Sequence, residues 1–351
     1  MDSKHELALS YRFYFILISL INIKMRNKRI ILAGGTGFIG QEMTKYFGKE
    51  NKIIILTRQI KNEKTNRNDY DSLSSGDLQN VWYVKWDGKT TGDWANELNN
   101  ADIIINLAGK SVNCRYNEKN KNEIFDSRTD AVKAIGEAVK KCQRPPSLWI
   151  NASSATIYRH ATDRPQDEYT SEFHDDFSVQ VCKRWEKTFY DLQTTQTRKV
   201  ALRMAITLGP GGILIPYFNL LKFGLGGKQA TGKQMYSWVY IEDTCRMIEW
   251  IFEHKEIEGT YNCSSPNPVT NEEFMKILRK VTGHVIGLPA YKWMLQIGAP
   301  LMGTELELVL KSRWVVPTKI LETGFQFKYS LLKNALSDII SKVPRKQYHL
   351  F

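Results

Sequence analysis

The chain has 351 residues, 42% of them apolar and 25% charged, which excludes a disulfide-stapled module, a collagen-like repeat and a disordered segment, and leaves room for one large or two modest domains. Forty-nine Lys and Arg against 37 Asp and Glu give a net charge of +12, an excess that nucleic acid, a membrane surface or an anionic ligand would each suit. Five scattered cysteines without a C-x-x-C pair, and six histidines without H-E-x-x-H spacing, argue against a disulfide framework and give no support to a metal site.

Residues 13–23 (FYFILISLINI) are almost wholly apolar, but a helix needs about 20 residues to cross a bilayer. Asp2 and Glu6 dilute the basic start that a signal peptide requires, and Lys24, Arg26, Lys28 and Arg29 lie on the wrong side of the apolar run. Residues 1–24 therefore read as an extension, with a targeting or weakly membrane-associating role and a role outside the fold both open. The cysteine usage favours a reducing, cytoplasmic setting; the mitochondrion and a membrane surface reached through residues 13–23 are the alternatives.

From residue 25 onward, short β-rich runs at 30–33, 53–56, 81–84, 103–106, 148–151 and 199–203 alternate with helical periodicity. Residues 118–141 form the clearest helix, with Ile124, Phe125, Ala131, Ile135 and Val139 on one stripe. The alternation predicts an α/β fold, a Rossmann-type doubly wound parallel sheet covered on both faces. Residues 61–80 hold almost no apolar side chains and read as a surface insertion. Past residue 209, glycine-rich loops and a helix opening at Asn271 predict a smaller C-terminal α+β lobe. The expected division is a dinucleotide-binding domain at 25–208 and a substrate-closing lobe at 209–345, with some segments returning to the first sheet.

The strongest motif is GGTGFIG at 34–40, directly after the first strand and directly before a helix. Gly34, Gly37 and Gly40 would make a tight turn, a close approach to a pyrophosphate and a close helix contact, with Thr36, Phe38 and Ile39 between them, and the diphosphate at the positive helix end. Where the second strand ends, NAD-preferring sites carry an acid; here Thr57 and Arg58 stand instead. A guanidinium suits a 2′-phosphate, so NADP is favoured over NAD. Leu107 and Ala108, at the end of the fourth strand, would let a ribose lie against backbone. Glu123 and Arg128 on the following helix, and the Thr207 backbone after the sixth strand, complete the expected cofactor contacts.

Together with NLAG at 106–109, NASSATIY at 151–158, VCKRWE at 181–186, LGPGGILIPYF at 208–218 and VVPTKILETGFQFKY at 315–329, these residues resemble the extended short-chain dehydrogenase/reductase superfamily. More narrowly, the chain is similar to the epimerase family of sugar-nucleotide-epimerase-like proteins. The resemblance implies a Rossmann domain binding NADP, a lobe closing over a small-molecule substrate, and hydride chemistry. It also implies that Ser154 occupies the superfamily's catalytic serine position. It departs from the superfamily at the Tyr-x-x-x-Lys dyad: aligned on Trp185 and Glu186, Ser178 stands at the tyrosine and Cys182 at the lysine, while Lys183 is one residue, about 100° of helix, away.

Two readings stay open. In one, an NADP-dependent oxidoreductase or epimerase-like enzyme uses another acid, with Tyr158, Glu123 and Cys182 as candidates; in the other, the chain is a non-catalytic NADP-binding sensor or structural protein. Lys228 and Lys233, in the glycine-rich loop at 224–233, suit an anionic substrate if they are not simply solvated. Asp243 reads as the N-cap of a helix at 244–252, and Trp238 and Tyr240 as pocket or core. The basic residues are spread without a nucleic-acid-binding pattern, and nothing in the sequence sets an oligomeric state.

Overall fold

The computed structural model describes residues 24–60, 79–170, 172–301 and 305–350. The first half alternates strands and helices: β1 (Arg29–Ala33), α1 (Phe38–Phe47), β2 (Lys52–Thr57), β3 (Val81–Lys85), β4 (Ile103–Asn106), α2 (Glu118–Lys141), β5 (Leu148–Ser154), α3 (Phe177–Asp191) and β6 (Arg198–Met204). The second half holds β7 (Ile206–Leu208), α4 (Leu214–Lys222), β8 (Met235–Tyr236), β9 (Trp238–Tyr240), α5 (Ile241–Glu253), β10 (Gly259–Cys263), β11 (Val269–Thr270) and α6 (Asn271–Thr282). It continues with α7 (Lys292–Leu301), α8 (Glu307–Leu310), α9 (Thr318–Glu322) and α10 (Leu332–Ser341).

Seven strands form one sheet in the order β10-β6-β5-β4-β1-β2-β3, every pair parallel. Parallel strands buried on both faces read as continuous apolar runs. Here Ile30 to Ala33, Ile53 to Leu56 and Ile103 to Ile105 are each 2% exposed or less. One core lies on either face: Met43, Phe47 and Ile248 pack on one, Ile135, Trp149 and Phe189 on the other. The order reverses between β1 and β4, and at such a switch point the carboxyl ends of the strands open a ligand crevice.

The helices that flank the crevice begin at identifiable caps. The Asn117 side chain accepts from the Asn120 N–H at 2.9 Å at the head of α2, and the Asp176 carboxylate from the Val179 N–H at 3.1 Å at the head of α3. After Met204 the chain leaves the sheet: the Ala205 N–H donates to the Cys263 carbonyl, and β7 pairs with β9 instead. Residues 311–316 then come back across the molecule. The Arg313 N–H donates to the Met235 carbonyl, and Gln166 and Val316 bond each other's neighbourhood through main-chain groups, which sets Lys311 and Arg313 beside the end of β5.

Two sequence expectations shift. Helix α1 starts at Phe38 and α5 at Ile241, both earlier than their apolar periodicity suggested. Asp243 is therefore not an N-cap: buried in the first turn of α5, it accepts from the N–H groups of Lys328 and Tyr329 at 2.8 Å each and from Arg246. Trp238 and Tyr240 are core residues, 0% and 2% exposed. Residues 13–23 and most of the insertion at 61–80 lie outside the described residues. No described helix is long and apolar enough to cross a membrane.

Candidate functional site

The turn between β1 and α1 is built for close approach. Gly34 has φ +78°, and a Cβ there would meet Ala108 N and Leu107 C at 2.9 Å. A Cβ on Gly40 would sit 2.4 Å from Gly35 Cα, so α1 can pack on the turn only through glycine. Gly37, the N-cap, offers no side chain to the first-turn N–H groups, and no acid stands among them. Thr36 is exposed, and its carbonyl accepts from Gln41 Nε2 at 3.1 Å. The positive end of α1 therefore faces the crevice unopposed by any described side chain, as an anion site requires. Phe38 and Ile39 are turned to packing: the Phe38 ring would meet a Cβ on Gly212 at 2.6 Å and on Gly209 at 2.8 Å, and Ile39 joins the core. Only their backbone is left for a ligand.

At the end of β2 the Thr57 hydroxyl donates to the Gln59 carbonyl at 3.1 Å, closing its own turn. Arg58 is exposed and pairs with no acid among the described residues. At the end of β4, Asn106 Nδ2 donates to Asn151 Oδ1 at 2.7 Å, and Asn106 Oδ1 accepts from the Ala108 N–H at 3.0 Å. This fully buried pair shapes the Leu107-Ala108 turn beside the glycines. Each asparagine opens a motif quoted from the sequence, NLAG and NASSATIY, but their pairing across the strands was not legible there.

On the other side of the crevice the expected acids are not poised for chemistry. Tyr158 is 1% exposed; its hydroxyl donates to Asn262 Oδ1 at 3.0 Å and accepts from Arg203 Nη1 at 2.8 Å. Arg203 in turn holds Glu186 through two bonds of 2.9 and 2.8 Å, and Ser153 donates to the same carboxylate at 2.6 Å. Tyr158 thus belongs to a buried network tying α3 to the sheet, and burial pushes its phenol up to about 12. Glu123 is exposed and ion-paired with Lys110, which holds its carboxyl below the usual range. Cys182 is buried, and desolvation pushes its thiol up to about 12, so it stays protonated at neutral pH. Lys183 lies over the Phe173 ring at 5.6 Å.

Ser154 caps a short 3-10 turn, accepting from the Thr156 N–H at 3.2 Å while its hydroxyl reaches Thr156 Oγ1 at 3.0 Å. Thr156 Oγ1 also accepts from Arg313 Nε at 3.2 Å, a partner from far along the chain that the sequence did not disclose. Arg128 lies against Gly109, where a Cβ would be 3.1 Å from its Cγ, and over the Trp185 ring at 5.1 Å. Burial lowers its guanidinium's pKa. Thr207 Oγ1 donates to the Ala205 carbonyl at 3.3 Å, in the bend after β6. Lys228 and Lys233 are not brought here. Lys228 faces Glu272 at 4.0 Å at the head of α6, and Lys233 is exposed in the same loop.

The glycine turn, Arg58, the Asn106 turn, Ser154 and Arg128 thus lie along the carboxyl ends of β1, β2, β4 and β5, the arrangement of a dinucleotide crevice. The profile of the NAD dependent epimerase/dehydratase family matches residues 30–264, and a domain of unknown function, DUF1731, matches residues 292–339. Epimerase family protein YfhF of Bacillus subtilis is 31% identical over 313 residues, 89% of this chain and 98% of its own length. Epimerase family protein SSP1921 of Staphylococcus saprophyticus is 31% identical over 316 residues, covering 89% and 99%. Among solved structures, human epimerase family protein SDR39U1, crystallised with NADPH, superposes with a TM-score of 0.74 at 24% identity, covering 89% of this chain and 99% of that one. UDP-N-acetylglucosamine 4-epimerase from Methanobrevibacter ruminantium M1, in complex with UDP-N-acetylmuramic acid, gives 0.68 at 17% identity over 90% and 98%. By profile and by curated relatives alike, the chain belongs to the NAD dependent epimerase/dehydratase family, within the extended short-chain dehydrogenases/reductases.

Proposed function

We propose that the chain binds NADP across the carboxyl ends of β1, β2 and β4 and works as an NADP-dependent oxidoreductase or epimerase-like enzyme on a small molecule. The observation that carries this reading is the pairing of a side-chain-free helix N-terminus behind Gly34, Gly37 and Gly40 with an exposed Arg58 at the end of β2. The N–H groups of the first turn of α1, from Phe38 onward, would hold the diphosphate, with Thr36 beside them. Arg58 would take the 2′-phosphate in bidentate fashion, with Thr57 forming the turn that presents it. Leu107 and Ala108 would lie along the ribose, and Arg128 and the Thr207 backbone would border the nicotinamide end. Bound there, the cofactor supplies a hydride donor or acceptor. The human relative solved with NADPH supports the same cofactor.

A second reading has its own support. Ser178 and Cys182 stand where the superfamily carries its tyrosine and lysine, and Tyr158 is sealed in the core, as a protein that holds NADP without turnover would allow. Fluorescence titration with NADPH and NADH tests what both readings share. Wild type is expected to prefer NADPH at least about tenfold, or ~1.4 kcal/mol, and Arg58→Ala to erase that preference. Equal affinity for the two in wild type would sink the assignment to NADP. Oxidation of NADPH by a panel of carbonyl compounds and sugar nucleotides separates the two readings.

A further inference from the structure

The two hydroxyls after β5 bond in an order that decides which of them can serve a ligand. Ser154 Oγ accepts from the Thr156 N–H at 3.2 Å and donates to Thr156 Oγ1 at 3.0 Å, so its one proton is used inside the turn. Thr156 Oγ1 accepts that bond and a second from Arg313 Nε at 3.2 Å. A hydroxyl has two acceptor lone pairs and one proton. With both lone pairs of Thr156 engaged, its O–H takes the remaining tetrahedral direction, and no group among the described residues accepts it. Thr156 is half-buried, between the buried Ala155 and Ile157, at the crevice end of β5. The returning segment fixes it there. Lys311 Nζ donates to the Thr156 carbonyl at 3.3 Å and to the Asp176 carboxylate at 2.9 and 3.1 Å. The Arg313 main chain is pinned in turn: its N–H donates to the Met235 carbonyl at 2.8 Å, and its carbonyl accepts from the Ser237 N–H at 3.0 Å and from Ser237 Oγ at 2.8 Å.

We propose, resting on the reading that the chain is an NADP-dependent enzyme, that Thr156 rather than Ser154 donates the hydrogen bond that orients and polarises a substrate carbonyl oxygen, with Arg313 as the positioning residue behind it. A carbonyl oxygen accepts and cannot donate, so it needs an O–H that is not already spent, and Ser154 has none to offer. As the carbonyl carbon gains hydride, the π pair moves to oxygen, and the alkoxide is held by the Thr156 O–H, which keeps its own proton. Water supplies the proton that completes the alcohol, leaving hydroxide to the buffer; oxidation of the alcohol runs the same transfers backwards. The guanidinium strengthens the donor, because a hydroxyl that accepts from a cation is polarised toward giving its own hydrogen. The alcohol suits the same pair of residues: its O–H can donate to the lone pair that Ser154 Oγ retains.

Neutron diffraction from deuterium-exchanged crystals of the full chain reads the order of the bonds directly. The Ser154 deuterium is expected on the line to Thr156 Oγ1, and the Thr156 deuterium turned away from both Ser154 and Arg313. The opposite order, Thr156 donating to Ser154, would free the Ser154 proton and overturn the proposal whichever cofactor binds. NADPH oxidation is then followed with phenanthrenequinone and with UDP-linked keto sugars. Thr156→Val is expected to lower kcat/KM at least about 100-fold, Thr156→Ser to stay within about tenfold of wild type, and Ser154→Ala to cost less than about tenfold. All three are expected to bind NADPH within about twofold of wild type. Arg313→Met is expected to lower kcat about tenfold and leave KM within about twofold; a rise in KM alone would remove Arg313 as the positioning residue. A larger loss in Ser154→Ala than in Thr156→Val overturns the donor and leaves the cofactor reading standing. So does a Thr156→Val variant that no longer binds NADPH, because the residue would then be structural. Wild type that binds NADPH and reduces none of these compounds removes the enzyme reading and the donor together, and wild type that does not bind NADPH removes the cofactor site as well.

Discussion

The loops at 34–40 and 224–233 are both glycine-rich and both border a helix, yet their glycines answer to different constraints. In the first, Gly34 takes φ +78° against the Leu107-Ala108 backbone, and the helix behind it begins at a glycine that caps nothing. In the second, a Cβ on Gly227 would meet Gly287 O and Leu288 at 2.5 Å, and the main chain is zipped to its neighbour: Gly227 N–H to the Leu288 carbonyl at 3.0 Å, Leu288 N–H to the Gly224 carbonyl at 2.8 Å, Ala290 N–H to the Lys228 carbonyl at 2.9 Å. One loop leaves the donors of a helix end facing the crevice; the other uses its own to join a second stretch of chain. Glycine content alone does not mark an anion site; backbone donors without a protein acceptor do.

Substitution separates the two loops. Gly40→Val places carbon against the Gly35 backbone, which cannot yield as a side chain can, and is expected to weaken NADPH binding at least about 100-fold, or ~2.7 kcal/mol, by isothermal titration. Binding that survives would mean that α1 need not sit tight on the turn, and the crevice reading would lose its footing. Gly227→Ala should cost about 1–3 kcal/mol of stability by overpacking, read in thermal or urea denaturation, and leave NADPH affinity within about twofold. Impaired binding in a folded Gly227→Ala protein would break the comparison, since it would make the second loop part of the site.

The legible parts of the molecule were those written locally. Periodicity placed α2 at 118–141, where the structure has it, and apolar runs marked six strands of the main sheet. Strand β5 runs on to Ser154 because Ala152, Ser153 and Ser154 pair with β6, although two hydroxyls among them look like a loop. Strand β10, GTYNC, escaped because it lacks an apolar run and lies at the sheet edge. Asp243 was misread because its carboxylate turns inward to two distant N–H groups rather than to its own helix. The site divides in the same way. The glycine turn and Arg58 are each contained in a few residues. Arg313 and Thr156, bonded at 3.2 Å, come from two segments that only the fold brings together, and no local spacing relates them.

The smallest expected effect is the most direct check on why the second loop carries its cations. Lys228 and Glu272 stand 4.0 Å apart with side chains 42% and 60% exposed, a separation and exposure at which a pair contributes roughly 0–1 kcal/mol and is screened by salt. Lys228→Ala is therefore expected to change stability by less than about 1 kcal/mol at low salt and by less still at high salt, in paired denaturation curves. Lys233 is exposed, and adding Lys233→Ala should change little more. Neither substitution should alter NADPH affinity, whereas Arg58→Ala should. If instead the double variant weakened NADPH, or weakened it only at low ionic strength, the second loop's lysines would be contributing field to the crevice, and their distance from the glycine turn would no longer separate the two loops in function.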